Sequence, residues 1–311
     1  MDWERHKDYV DKIAVFDKNI SVRIDSKPFE FPGMAPVEFY GDAQTEPNYA
    51  AIAQHYSLEY KGGGERISVL RNLEDVIHGA NELMLAGTTS VDVAAEKKGK
   101  ISSIPHLALI GAINTEDHHL IVGLRGRRYG KELTPERVKD MADNCYALAP
   151  GGGLTFRFNE NPLDYTLEHE AMEELGIKKE EIRDHRPLGI FKAKKIGPLG
   201  YKIVEFAETT LSSEEIIDRH REAYRKYLDL CGQEIPEKEA CKQVAEEFGC
   251  GDCWEHSSLL RVYSNTSDID FFISTISSVD SIDEKNYIHH QKCGIGVGAL
   301  LLVADHFALL G

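Results

Sequence analysis

The first hundred residues combine short regular segments with chain-breaking ones. Asn19 to Ile24 alternates polar and apolar positions, which predicts a half-buried strand. Prolines and a glycine at positions 28–36 then interrupt any long regular element. From Leu73 to Met84 apolar residues recur at helical spacing, and Gly87 closes the segment, so one helix is expected there. We therefore predict a smaller α+β accessory domain over residues 1–100.

The pattern changes after Ile104. Two apolar segments, His106 to Ile113 and His119 to Leu124, flank a polar turn and predict a β-hairpin. Downstream, the pattern predicts helices over 135–142, 164–175, 212–248 and 268–276, and strands over 146–148, 188–193, 201–206 and 259–263. This mixed order predicts an α/β layered domain over residues 101–280, with a helical insertion at about 212–250.

Residues 281–311 form an apolar C-terminal extension. Its longest apolar run, Ile295 to Ala304, is too short to span a bilayer. The alternating glycines from Gly294 to Gly298 lack the strand-loop-helix context of a dinucleotide site. Close packing of a terminal apolar element is the favoured interpretation.

The net charge of the chain limits the classes of molecule that it is expected to bind. The 311 residues include 36 Lys plus Arg against 52 Asp plus Glu, a formal charge of −16. This balance argues against general nucleic-acid binding and against an anionic membrane surface, but it permits a small phosphorylated ligand held through a cation. The charged N-terminal segment lacks the apolar core of a signal peptide, so a cytoplasmic protein with reduced thiols is expected.

The strongest chemical signal lies in the helix predicted over 164–175. Glu170, Glu173 and Glu174 are spaced i, i+3 and i+4, so a helix places their carboxylates on one face. In a pocket such like charges repel strongly unless a hard divalent cation bridges them, and Mg²⁺ suits carboxylate and phosphate oxygens. The glycine loop before the helix allows close approach of backbone to a ligand. The alternative is an exposed acidic helix without a ligand.

This segment resembles the Nudix hydrolase family, whose box ends in Arg-Glu-aliphatic-any-Glu-Glu-any-Gly-aliphatic. The match is carried by Glu170, Glu173, Glu174, Gly176 and Ile177. Upstream, the loop 149–153 resembles the Pro-Gly-Gly segment of the family, and the hairpin resembles its opening strands. Downstream, residues 255–262 resemble its late loop and strand. The resemblance covers about residues 103–280 and implies a Nudix-like α/β/α sandwich.

The resemblance implies a Mg²⁺-dependent hydrolase (Mn²⁺ is the alternative ion) that cleaves a phosphoanhydride bond in a nucleoside diphosphate derivative. Its metal ligands would be Glu170, Glu173 and Glu174. Glu173 and Glu174 would also be catalytic, together with Glu255 as a proton acceptor from the late loop. Substrate would be bound by Arg125, Arg127, Gly152 and Gly153. A solvated basic turn is the alternative reading of the arginines, and a homodimer is also compatible with the sequence.

The box also departs from the family pattern. His169 stands where the family has arginine, Ala171 replaces a bulkier aliphatic residue, and Asn161 falls where the first glutamate belongs. Imidazole does not reproduce the planar fork with which arginine orients a glutamate. These changes keep a second hypothesis open, a Nudix-fold module that binds a nucleotide or a protein partner without turnover.

Cys250 and Cys253 form a Cys-x-x-Cys pair with Cys241 and His256 nearby. Four such side chains are typical tetrahedral zinc ligands, although this spacing is not that of a familiar zinc finger. Ordinary reduced thiols are favoured, and zinc binding or redox chemistry are the alternatives.

Overall fold

The computed structural model describes residues 2–16, 20–25, 47–59, 64–101, 104–157, 159–196, 200–276 and 291–310. The chain divides into two compact units. The larger unit comprises Met1–Asp17, Leu109–Gly152 and Leu167–Gly311, and the smaller comprises Lys18–Ala108 and Gly153–Thr166. The first residue of the predicted strand at Asn19, the proline-containing segment 28–36 and part of the predicted extension, 281–290, lie outside the described residues.

The described ranges contain twelve strands and nine α-helices. The strands are β1 (Val10–Val15), β2 (Ser21–Ile24), β3 (Arg66–Leu70), β4 (Glu82–Thr89), β5 (Leu107–Asn114), β6 (His119–Arg125), β7 (Cys145–Leu148), β8 (Gly151–Gly153), β9 (Ile182–Ala193), β10 (Gly200–Thr209), β11 (His256–Tyr263) and β12 (Gln291–Lys292). The helices are α1 (Tyr49–His55), α2 (Leu73–Ile77), α3 (Ser90–Lys97), α4 (Pro135–Met141), α5 (Pro162–Leu175), α6 (Ser213–Gly232), α7 (Glu237–Phe248), α8 (Thr266–Thr275) and α9 (Gly294–Leu310). Short 3₁₀ turns occupy Glu4–His6, Lys179–Glu181 and Cys253–Glu255.

Nine of these strands form one mixed sheet. Its order is β1-β9-β10-β5-β6-β7-β12, with β11 also pairing with β6 and β8 with β5. β5 and β6 form the predicted antiparallel hairpin, in which Asn114 lies opposite Leu120. β12 instead runs parallel to β7. Strands and helices share one large apolar core, which confirms the predicted α/β class.

Helix α9 packs into this core. Every residue from Gly294 to Ala304 is buried. A Cβ at Gly296 would lie 2.0 Å from the carbonyl oxygen of Tyr146, and one at Gly298 would lie 2.3 Å from the Phe191 ring, so only glycine permits this approach. The alternating glycines are therefore a packing motif, as predicted. Within the described ranges, no helix is both long and apolar enough to cross a bilayer.

The smaller unit contains a three-stranded sheet of order β2-β4-β3. The prediction of one helix over 73–86 is wrong, because α2 ends at Ile77 and the central strand β4 follows. Gly79 adopts a φ of +91°, which reverses the chain. Leu83 and Leu85 are fully buried at alternate positions of β4. The apolar spacing in this segment fits a helix as well as a strand, and the structure has the strand. The Asn72 side chain fixes the connection, donating to the Glu82 carbonyl at 2.8 Å.

The compact units do not follow the predicted boundaries at 100 and 280. β1 pairs with β9, with Val10 opposite Ala193, and thereby joins the larger unit. Residues 153–166 belong to the smaller unit, and the C-terminal residues belong to the core of the larger one. Such long-range pairing leaves no local trace in the hydrophobic pattern, which explains the difference.

The helical insertion predicted at 212–250 is present as α6 and α7. Ser212 caps α6, since its hydroxyl accepts from the Glu215 backbone N–H and the Glu215 carboxylate accepts from the Ser212 N–H. Gly249, with a φ of +74°, ends α7. The two helices enclose a separate apolar cluster that includes Tyr227 and Cys253. The chain then enters the 3₁₀ turn at Cys253–Glu255 and strand β11.

Candidate functional site

The C-terminal half of α5 carries the predicted glutamates. Its residues Leu167, Ala171 and Leu175 recur every fourth position and are fully buried. The small Ala171 thus occupies a tightly packed position, although the family has a larger residue there. Gly176, with a φ of +69°, follows the last helical residue, as predicted.

Glu174 is the most buried of the three glutamates, with 1% of its surface exposed. Its Oε1 accepts the Gly151 backbone N–H at 3.2 Å. Its Oε2 lies 2.7 Å from Nε2 of His256, which is itself 1% exposed. Burial raises the pKa of Glu174 well above its usual value, the Glu255 charge adds to the shift, and Arg125 opposes it. Both carboxylate oxygens are therefore held by the protein in a site with little water.

Glu170 lies directly against the glycine loop. A Cβ on Gly152 would be 2.0 Å from Oε1 of Glu170, so any side chain at position 152 would displace the carboxylate. Burial raises the pKa of Glu170 to about 9, and three neighbouring carboxylates contribute to this shift: Glu174, Glu255 and Glu173. At neutral pH, Glu170 is therefore protonated and hydrogen-bonded to Glu174.

Glu173 occupies the solvent side of the same turn. Its side chain is 37% exposed, and Nε2 of His169 lies 3.3 Å from its Oε2. This i, i+4 pair stands where the family pattern has its arginine and a glutamate. The residue that replaces the arginine therefore contacts Glu173.

The late loop brings Glu255 to the cluster, as the resemblance implies. The Asp252 N–H donates to the Glu173 carbonyl at 2.9 Å, and the Cys250 thiol donates to the Glu174 carbonyl at 3.1 Å. These bonds hold the loop against the end of α5. Glu255 is partly buried and accepts from Nη2 of Arg125 at 3.3 Å. A second arginine nitrogen, Nε of Arg125, is buried and has no hydrogen-bond partner among the described residues.

Other predicted substrate residues lie outside this cluster. Arg127 is exposed, and its Nε donates to the Lys131 carbonyl at 2.8 Å within its own turn. Arg128 lies over the Trp254 ring at 4.8 Å. Gly153 belongs to the smaller unit, and a Cβ there would meet no described atom within 4 Å. Of the predicted substrate residues, Arg125 and Gly152 alone have contacts with the glutamates among the described residues.

His256 is the residue whose role sequence reasoning missed, because it was considered only as a zinc ligand. Burial lowers its pKa to about 3, and the Arg125 charge adds to the shift, so the imidazole is neutral. The signal that points to it is Gly123, in the middle of the buried strand β6. A Cβ there would lie 2.1 Å from Nδ1 of His256. A glycine inside a strand often marks such a close approach.

The donor set fits a hard divalent cation. Glu170, Glu174 and Glu255 gather at one end of α5, and burial together with their mutual repulsion raises the pKa of Glu170. A cation relieves this repulsion, and Mg²⁺ and Mn²⁺ both accept carboxylate oxygens. Among the described residues no three of these carboxylates present oxygens within 4.8 Å of one another, so Glu170 and Glu255 must rotate toward an ion that they share with Glu174.

Cys250 and Cys253 are packed in the structure as free thiols. All six cysteines are free, and Cys250 and Cys253 are buried. The neighbouring Cys253 thiol and burial raise the pKa of Cys250 far above its usual value. In the described part of the chain no three of the four candidate zinc ligands come within 4.8 Å of one another. These contacts support the interpretation as reduced thiols.

No family model matches the chain, and no curated protein matches it significantly. The Nudix resemblance therefore rests on the residues of the sequence alone.

Proposed function

We propose that the chain is a Mg²⁺-dependent hydrolase of the Nudix type that cleaves a phosphoanhydride bond in a nucleoside diphosphate derivative. One observation carries the proposal. The loop that carries Glu255 is hydrogen-bonded to the end of α5 through Asp252 and Cys250, and the Glu255 charge adds to the rise that burial causes in the pKa values of Glu170 and Glu174, although about 80 residues separate it from them. An exposed acidic helix without a ligand has no reason to collect a fourth carboxylate from a distant loop.

Glu170, Glu173 and Glu174 would hold the cation. When bound, the ion would neutralise a diphosphate and stabilise the charge that develops on the leaving phosphate. Burial of Glu174 and its two hydrogen bonds fix the direction of this carboxylate before any ligand arrives. Gly152 allows the Glu170 carboxylate to lie directly against the loop backbone.

Arg125 and Glu255 supply the remaining chemistry from the chain itself. The Nε of Arg125 is a buried donor without a partner among the described residues, and it suits a phosphate oxygen. Glu255 uses one oxygen on Arg125 and retains acceptor capacity for the proton of an attacking water. Glu255 thus remains our candidate for the general base.

Two contacts favour the second hypothesis, a Nudix-fold module that binds without turnover. His169 contacts the half-exposed Glu173 in place of the family arginine. The Asn161 side chain donates to Asp164 at 2.7 Å and accepts the Leu163 N–H at 3.1 Å, so it is used in the first turn of α5. The position of the first glutamate of the box is therefore occupied by a helix-capping side chain.

A panel of nucleoside diphosphate derivatives tests both hypotheses. Incubation with Mg²⁺, followed by chromatography of the products, should detect cleavage that a chelator and the double substitution Glu173→Gln plus Glu174→Gln abolish. Glu168→Gln is the matched control, because Glu168 lies on the same helix but pairs with Lys179 at 2.7 Å. It should retain activity.

The same panel separates turnover from binding when it is repeated as a thermal-shift assay. Nucleotide-dependent stabilisation without any product would favour the binding module and contradict the hydrolase. If neither cleavage nor stabilisation occurs with any compound, both hypotheses are wrong.

A further inference from the structure

The contact between His256 and Glu174 joins two fully buried side chains. Nε2 of His256 lies 2.7 Å from Oε2 of Glu174, and each residue is 1% exposed. Nδ1 of His256 is buried without a hydrogen-bond partner among the described residues. An unpaired buried N–H is rarer than an unpaired acceptor, so the proton belongs on Nε2, which donates to Glu174.

Two neighbouring features fix the ring in this place. Gly123 provides its space, since a Cβ at that position would lie 2.1 Å from Nδ1 of His256. His220 lies on helix α6 of the insertion, and its Nε2 is 3.1 Å from the carbonyl oxygen of Cys253. This contact braces the turn that leads into His256. The imidazole therefore has one conformation available to it.

We propose that His256 is a positioning residue that orients Glu174 for the divalent cation. The inference rests on the proposed function. The Gly151 N–H on Oε1 and His256 on Oε2 hold Glu174 in a fixed direction, and the lone pair that accepts from protonated Glu170 becomes available to a cation once that proton leaves. Loss of a group that orients a metal ligand in this way typically weakens metal binding by about 10- to 100-fold.

Mn²⁺ alone is the probe, titrated into the full chain and followed by electron paramagnetic resonance of the free ion. His256→Leu removes the donor and should raise the Mn²⁺ dissociation constant by about 10- to 100-fold. His256→Gln retains an amide N–H near the position of Nε2, and its dissociation constant should stay within about threefold of the wild-type value. His306→Leu is the control, because His306 is a buried histidine that contacts Arg186.

Gly123→Ala provides a second route if His256→Leu does not fold, as judged by circular dichroism. It displaces the ring while keeping its chemistry, and it should weaken Mn²⁺ binding as His256→Leu does. The inference is overturned if folded His256→Leu or Gly123→Ala binds Mn²⁺ as the wild type does, or if His256→Gln is as weak as His256→Leu. Loss of binding in His306→Leu would also overturn it. If the wild type itself shows no saturable Mn²⁺ binding, the proposed function fails first, and the two failures remain distinguishable.

Discussion

Glu173 and Glu174 are consecutive residues of α5, and each contacts a histidine in very different surroundings. His256 and Glu174 are both 1% exposed and lie 2.7 Å apart. His169 and Glu173 have side chains that are 39% and 37% exposed and lie 3.3 Å apart. The chemical groups are the same, yet solvent screens one pair and not the other.

The difference in burial shows which of the two glutamates is held firmly by its histidine. An exposed pair contributes little because water competes for both partners and the side chains lose entropy when they associate. A buried pair makes each partner depend on the other, because neither has water as a substitute. The family pattern draws attention to His169, inside the box, whereas the buried partner of Glu174 lies 82 residues after it along the chain.

The largest expected effect on stability comes from removing the buried histidine, and removal of the exposed one is the comparison. His256→Ala leaves the buried Glu174 without its donor and opens a cavity, so it should lower the free energy of unfolding by about 3 kcal/mol. His169→Ala should change it by less than about 0.5 kcal/mol. Urea denaturation of both variants measures the difference. Equal effects would mean that burial does not distinguish the two pairs.

Local patterns predicted the scaffold of this site well. The spacing of apolar residues and the glycines at helix ends predict the hairpin β5–β6, helix α5 with its terminating Gly176, and the insertion helices. The three glutamates follow from the same helix. The partner of Glu174 does not, because His256 reaches it only once β11 has paired with β6. Hydrophobic periodicity also failed at β4, where burial of Leu83 and Leu85 on a sheet overrides a helical spacing.

The glycine loop offers the next comparison, between two adjacent glycines. Gly152→Ala introduces a Cβ 2.0 Å from the Glu170 carboxylate and should cost about 2 kcal/mol of stability. Gly153→Ala meets no described atom within 4 Å and should be neutral or slightly stabilising. Thermal denaturation checks the stabilities. If the two variants unfold alike, the close approach of Glu170 to the loop is wrong.

A smaller effect is expected from the proton on Glu170. Its pKa is about 9 in the folded chain against 4.5 when unperturbed, so the native state binds an extra proton between these values. The resulting stability is complete below pH 4.5 and is lost as the pH rises toward 9. The melting temperature should therefore fall by several degrees between pH 6 and 9.

Glu170→Gln removes this titration and should flatten that part of the profile, whereas Glu168→Gln should leave the slope in place. Mg²⁺ replaces the proton, so it should stabilise the wild type more at pH 9 than at pH 6. An equal slope in wild type and Glu170→Gln would assign the pH dependence to other groups.

The smallest effect is expected from restoring the family residue at the exposed pair, His169→Arg. Arginine adds a planar fork beside Glu173, but Glu173 is more than a third exposed and an ion pair there is worth little. Glu174 keeps His256 and the Gly151 N–H in either case. We therefore expect turnover of any substrate found in the panel to change by less than about threefold, and stability by less than about 0.5 kcal/mol. Steady-state kinetics of the wild type and of His169→Arg measure the change in turnover. A tenfold rise in turnover would mean that position 169 limits the chemistry and that the buried pair does not compensate for it.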